Sequence, residues 1–415
     1  MKKISIGIIG FGNIGSSVAE VIKKNSALIL EHTGIELHIV RICDIQAKRS
    51  AYPYTKNAEV IINDPKIDVV VEAIGGVNPA LKYILAAIAN KKHVVTPNKE
   101  VVAKHMPEIL AAARKNRVQF LFEGAVGGGI PILMPLKECL AANRISEVYG
   151  IVNGTTNYIL SKMMQEGIEF SEALKQAQVM GYAEPNPESD IKGYDASYKA
   201  AILASTAYGA LVNWQDVYCE GIERIGQEDI QYAKEIGYVI KLLAIAKMAE
   251  GKLDVRVHPA LIPHNHPLAS VSENYNAIYV KGDPVGQLMF YGPGAGGGPT
   301  ASAVISDILA TANLKFKNQN LKLRKYRIQK IDEIVGRYYI RLQAPDKFGV
   351  LAGISKAFAR KKVSIAAVVQ KETVGNLATI VILIHSVSEK NLRAALSIIE
   401  KLPVVRKVSN VIRMI

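Results

Sequence analysis

The stretch Ile4-Ser-Ile-Gly-Ile-Ile-Gly-Phe-Gly-Asn-Ile-Gly15 decides how the first third of the chain folds. Its apolar first half reads as a short strand, and glycines follow at once at 10, 12 and 15. Val18, Ala19, Val21 and Ile22 then recur at helical spacing. Strand, Gly-x-Gly-x-x-Gly turn and helix in that order are what a dinucleotide-binding βαβ unit needs. Gly10 makes the tight turn, Gly12 lets the backbone approach a pyrophosphate, and Gly15 lets the helix lie close on the strand. Phe11, Asn13 and Ile14 fill the turn and the first helical turn, whose free N–H groups suit phosphate oxygens. The next apolar run, 37–42, ends at Asp44, the candidate partner for a ribose 2′-OH; the insert at 25–36 places it later than is usual. Arg41, Lys48 and Arg49 stand nearby and suit a 2′-phosphate instead, so NAD and NADP both remain open.

Outward from this stretch the alternation continues. Apolar runs at 69–71, 93–95 and 118–122 alternate with helical patterns at 79–89 and 106–114. This predicts an α/β domain with a Rossmann-type, doubly wound parallel sheet over 1–130, joined by a returning helix at 301–313. Residues 131–300 read as a catalytic and dimerisation domain of α+β class, rich in helix and poor in strand signals. Residues 314–336 read as a basic linker, with seven basic residues and no acids at 315–330. The run 337–415 follows a βαββαβ pattern, which predicts a ferredoxin-like module.

Charge divides the chain at nearly the same place. The total is +14, yet 315–415 alone holds 21 basic and 6 acidic residues. The preceding body is therefore close to neutral. The longest nearly apolar run, 200–212, is too short for a membrane span. Three scattered cysteines fit a reducing cytoplasm and no disulfide framework.

The chemistry-bearing residues concentrate at 181–199. Prolines 185 and 187 hold Glu184 in a loop; Asp190 follows, and Asp195 and Lys199 share a helical face at i, i+4. A second lysine, Lys99, follows a strand end at 93–95. Carboxylates suit an ammonium group, and a lysine suits a hydroxyl or carboxylate, so the set fits a small zwitterion. A second ammonium nearby and burial both favour the neutral amine that proton transfer needs.

These motifs, taken in order, resemble homoserine dehydrogenase. The resemblance rests on the segments 10–15, 96–100, 123–131, 153–157, 181–187 with Asp190, Asp195 and Lys199, and 291–300. The tail, with Ala-Pro-Asp-Lys-Phe-Gly-Val-Leu-Ala at 344–352, resembles an ACT domain, except that Phe348 stands where that family usually has proline. The resemblance implies reversible NAD- or NADP-dependent conversion of L-homoserine and L-aspartate 4-semialdehyde in threonine and methionine biosynthesis. It implies Lys199 and Lys99 as catalytic lysines. It further implies Glu184, Asp190, Asp195, Gly154 and Thr155 at the substrate, and Gly75, Lys99 and Gly296 beside Gly10–Gly15 at the cofactor. Glu123, Val126, Gly128 and Ile130 match a monovalent cation site for Na+ or K+. An allosteric ACT domain implies feedback, with L-threonine as effector, in a cytoplasmic homodimer or homotetramer.

The glycine run 294–298 has two readings, close backbone approach to the cofactor or a hinge. Two other functions compete with the family reading. Another amino-acid or semialdehyde oxidoreductase of the same plan predicts gaps in the 184–199 set, and there are none. A dinucleotide-sensing regulator with a nucleic-acid-binding tail predicts aromatics interleaved with the basic residues; the run 315–330 has only Phe316 and Tyr326. The expectation is thus neither a nucleic-acid-binding nor a membrane protein.

Overall fold

The computed structural model describes residues 2–46, 50–312, 323–371 and 377–415. Lys48 and Arg49, the start of the basic run, and the end of the 301–313 helix lie outside the described residues. The chain forms two compact units. One comprises Met1–Val152, Tyr198–Val217 and Tyr275–Tyr326; the other comprises Asn153–Ser197, Tyr218–Asn274 and Arg327–Ile415.

The first unit is built on six parallel strands: β1 (Lys2–Ile9), β2 (Ile35–Cys43), β3 (Tyr54–Thr55), β4 (Val69–Glu72), β5 (His93–Val95) and β6 (Phe120–Leu121). Their order, β3-β2-β1-β4-β5-β6, is that of a doubly wound Rossmann sheet. Parallel strands are covered on both faces, which is why 69–71 is a continuous valine run and wholly buried. The Asn13–Lys24 helix opens at the glycine turn, and the Gly297–Thr311 helix sets Ala301, Val304, Ile305 and Ile308 into the core that holds Ile4, Ile6 and Ile8. The insert at 25–36 is mostly one helix, Ser26–Thr33, closed by Gly34 in the left-handed region. Strand Tyr275–Asp283 pairs antiparallel with Arg144–Ile151 on one side and Gly286–Pro293 on the other.

The second unit carries a mixed sheet, and here the strand-poor reading of 131–300 is corrected. Tyr238–Ala249 and Lys252–Pro263, twelve residues each, form a hairpin in full register, turning at Glu250 and Gly251, both at positive φ. Lys252–Pro263 is buried at almost every position, so it lacks the alternation that marks a half-exposed strand. Its partner is rich in Leu, Ala and Lys, which favour helix in isolation.

The βαββαβ pattern is realised as Val335–Pro345, Val350–Arg360, Ile365–Gln370, Leu377–Ser388, Glu389–Ile399 and Lys407–Met414, around a core that includes Tyr338, Ile340, Phe358 and Ile382. This module is not a free appendage. Its last strand pairs in parallel with Lys252–Pro263 at Ala260 and Arg413. Arg341 and Tyr339 meet Asp229, which is 0% exposed, and Arg341 also pairs with Glu228. The second half of the basic run is likewise not a solvated connector. Arg324 exchanges backbone hydrogen bonds with Gly209 and Leu211, and Arg327–Ile328 pairs with Lys252 and Leu253.

Candidate active site

In the first unit the ends of β1, β2 and β4 line a cleft together with Gly12, Asp44, Gln46, Lys56 and Tyr83. Gly10, at φ +96°, turns the chain against Ala73, where a Cβ would lie 2.6 Å from the carbonyl oxygen. Gly12 faces open space and caps the Asn13–Lys24 helix, so its backbone is bare toward the cleft. The Asp44 carboxylate accepts the Phe11 N–H at 2.7 Å and the Gln46 N–H at 2.9 Å. The Phe11 ring belongs to the core, and Ile14 packs against it. Arg41 is absent from the cleft lining, and its Nε is buried. Among the described residues Lys56 lines the cleft, and sequence reasoning missed it because it lies beyond the strand on which the acid was sought.

Gly75, at φ +87°, gives its N–H to Glu72 at 3.3 Å. Glu72 is a buried hub that also accepts from Ile74 N–H, Thr96 Oγ1 and Asn98 Nδ2. Burial pushes its carboxyl upward against the opposing pull of those hydrogen bonds. It thereby ties the end of β4 to the turn 96–99, and Asn98 caps the Lys99–Asn116 helix through Val101 N–H. Lys99 is the first residue of that helix and is half-buried.

Lys199, 8% exposed, donates from Nζ to the Val152 carbonyl at 2.6 Å. Lys104, one turn along from Lys99, stands over the rings of Tyr198 at 5.4 Å and Trp214 at 5.3 Å. It therefore holds the Lys99 helix against the residue that precedes Lys199.

Within the run 294–298, Gly297 is needed for close packing, and Gly298 faces open space. A Cβ on Gly297 would overlap Ser17 Oγ and lie 3.0 Å from Asn13 Oδ1, so the two helix starts touch there. Gly296 caps the second of these helices. Glu123 has a task the sequence did not reveal. Its carboxylate accepts backbone N–H groups from Ile132, Leu133 and Met134 at 2.6–2.8 Å. Its own N–H donates to Asp307, whose carboxyl is pushed well upward by burial and by the Glu123 charge.

In the second unit the acids are gathered by Asn153. Its side-chain oxygen caps the Gly154–Glu166 helix at Thr156 N–H, while Nδ2 donates to Asp190 at 2.7 Å and to Asp195 at 2.8 Å. Asp195 is 3% exposed and Asp190 half-buried. Thr155 Oγ1 donates to the Tyr182 carbonyl at 2.6 Å, which binds the helix start to the loop 181–187. Gly154 packs on Asn274, where a Cβ would lie 2.8 Å from the carbonyl oxygen. Glu184 is exposed in the loop, and its backbone carbonyl accepts from Gln178. The structure thus brings Asp190 and Asp195 together on one amide, with Glu184 exposed in the neighbouring loop. Asn153 was legible as part of the 153–157 segment, but its grip on the two acids was not.

The comparisons agree across the whole chain. Residues 10–123 match a model described as homoserine dehydrogenase, NAD binding domain; 131–309 match homoserine dehydrogenase; 338–404 match the ACT domain. A homoserine dehydrogenase of Synechocystis sp. is 44% identical, over 99% of both chains. A crystal structure of a homoserine dehydrogenase from Thiobacillus denitrificans superposes with a TM-score of 0.95 at 42% identity, covering 100% of this chain and 99% of that one. A hyperthermophilic archaeal homoserine dehydrogenase mutant in complex with NADPH matches 76% of this chain and 99% of its own, at 28% identity and a TM-score of 0.65.

Proposed function

The chain belongs to the homoserine dehydrogenases that carry a C-terminal ACT domain, and on that premise we propose which of its residues carry the reaction between L-homoserine and L-aspartate 4-semialdehyde. The observation that carries the assignment is the Asn153 amide holding Asp190 and Asp195 together. Two adjacent carboxylates, fixed by a neutral donor, form a receptor for the substrate ammonium group, and Glu184 closes on it from the loop.

A dinucleotide, when bound, would supply the hydride acceptor in one direction and the hydride in the other. Lys199 acts at the substrate oxygen: its amine takes the hydroxyl proton as the C–O bond becomes a carbonyl, and returns it on reduction. Lys99 is assigned as the second cation, which stabilises the oxygen while it bears negative charge. Gly154 and Thr155 shape the wall at the reacting carbon.

The cleft at Gly10, Gly12 and Asp44 fits a dinucleotide, since its backbone is bare where phosphates would approach. Asp44 offers an acceptor for a ribose hydroxyl, and Lys56 a cation for a 2′-phosphate. The relative that holds NADPH makes NADP the first cofactor to assay, with NAD beside it. A monovalent cation, Na+ or K+, would rest on main-chain carbonyls of Glu123, Val126, Gly128 and Ile130. The Glu123 carboxylate is already filled by three N–H donors, so the cation would brace the turn without entering the chemistry.

The ACT module has a small pocket at its first strand–helix turn, lined by Pro345, Asp346, Gly349, Val350 and Gln370. An amino-acid effector there, L-threonine first among them, would provide feedback in a cytoplasmic homodimer or homotetramer. Among the described residues no helix is long and apolar enough to cross a membrane.

The deciding assay is NADPH or NADH oxidation with L-aspartate 4-semialdehyde, on the parent and on Lys199→Ala and Asp190→Asn. Lys199→Ala should lower kcat by about 10²–10⁴-fold, and Asp190→Asn should act mainly on substrate KM. Near-parental turnover in Lys199→Ala would remove the lysine from its role.

A further inference from the structure

The two acids held by Asn153 are joined by the turn 191–193, between the Glu188–Ile191 and Tyr194–Tyr208 helices. That turn rests on residues 218–222. Gly221 lies so close that a Cβ would overlap the Ile191 carbonyl oxygen and come within 2.6 Å of Lys192 Cα. The Ile222 N–H donates to the Ile191 carbonyl at 2.8 Å, and the Cys219 thiol donates to the Lys192 carbonyl at 3.2 Å.

The same segment is fixed on its far side. Tyr218 and Cys219 pair with Arg256 and Val257, and the Glu220 N–H donates to the Val257 carbonyl at 2.9 Å. Its side chains reach the C-terminal module. Arg413, on the last strand of that module, donates from Nη1 to Glu220 at 2.7 Å and from Nη2 to the Tyr218 hydroxyl at 3.1 Å. Its guanidinium lies 4.9 Å from the Tyr218 ring centroid, and its remaining donors grip Glu389 at 3.0 and 2.6 Å. Every one of these residues belongs to the second compact unit.

We propose that Gly221 and the Arg413–Glu220 pair are positioning residues that set the spacing of Asp190 and Asp195, so that the C-terminal module steadies the substrate acids through residues 218–222. The proposal rests on the substrate-binding reading of those acids. One amide serves both carboxylates only while each oxygen stays within hydrogen-bond reach of its own N–H. A side chain at 221 pushes the turn away from the sheet and breaks that condition. Loss of the Glu220 charge frees the segment from its anchor on Arg413.

The test uses the full-length enzyme with Gly221→Ala, Glu220→Gln and, in parallel, Asp190→Asn, reading KM for homoserine and for the dinucleotide separately. Gly221→Ala should raise homoserine KM by about 10- to 100-fold, Glu220→Gln should raise it less, and dinucleotide KM should stay put in both. Glu220 is partly exposed, so Glu220→Gln decides the matter if Gly221→Ala does not fold. Unchanged homoserine KM in the folded variants, with a raised KM in Asp190→Asn, overturns the proposal and leaves the acids in place. Parallel rises in both KM values overturn it as general damage. An unchanged homoserine KM in Asp190→Asn removes the acid reading itself, and the proposal with it.

Discussion

Lys241 gives the most quantitative prediction. It sits on the Tyr238–Ala249 strand, 3% exposed, and donates to Asn157 Oδ1 at 3.0 Å and to the Val271 carbonyl at 2.6 Å. Asn157 in turn donates to the Glu273 carbonyl at 2.9 Å, so the amine anchors the helix that opens at Gly154. Burial pushes its ammonium pKa down from 10.5 to about 8, with Glu273 pulling the other way. Between those values the unfolded chain carries the proton and the native chain does not, so native stability rises with pH across that window. Below about pH 8 both states are charged and the burial penalty is present in full. The gap, at about 1.4 kcal/mol per pH unit, amounts to about 3 kcal/mol. In Lys241→Met this titration is gone, while two acceptors lose their donor at a cost of about 1–3 kcal/mol each. The measurement is urea unfolding, followed by circular dichroism, of parent and variant from pH 7.5 to 10.5. Taking the difference cancels Tyr338 and Tyr339, whose burial-raised hydroxyls lose stability as pH rises. Parent-minus-variant stability should climb by about 3 kcal/mol over that range. A flat difference would refute the reasoning, because it would mean that the native amine keeps its proton as readily as the unfolded one.

Three further outcomes follow from the same structure. Asn153→Ala removes two bonds to carboxylates and a helix cap, and should cost about 2–5 kcal/mol in denaturant unfolding as well as raising homoserine KM; parental values for both would show that the acids hold themselves. His258 is wholly buried, its imidazole pKa pushed well below 6.5 first by burial and then by Arg413 and Arg256. Below pH 6.5 the unfolded chain takes a proton that the native one refuses, so parental stability should fall with acidity more steeply than that of His258→Gln, and equal slopes would count against it. Deleting 335–415 strips Arg341, Tyr339 and Asn410 from buried Asp229 and bares the edge of Lys252–Pro263, so the truncated chain should lose at least about 3 kcal/mol and tend to aggregate; a soluble truncation with the parental melting temperature would contradict this.

The sequence by itself determined the parts governed by short-range rules. Strand 4–9, the glycines at 10, 12 and 15 and the helix after them announce a parallel sheet within 22 residues, because period, turn chemistry and helix start are all local. The βαββαβ order of the tail was equally legible. Only the tertiary structure decided what those elements meet. The Tyr238–Pro263 hairpin was hidden because burial on both faces erases alternation. The pairing of Arg413 with Glu220 joins residues far apart in sequence, and no local rule reports a contact at that separation. The grip on the Glu123 carboxylate was hidden because its three N–H partners come from main chain, whose donors are the same in every sequence. The contacts of the basic tail were hidden for a related reason. Charge is countable residue by residue, whereas the strand pairing at Ala260 and the buried carboxylate that Arg341 meets exist only once the chain has folded.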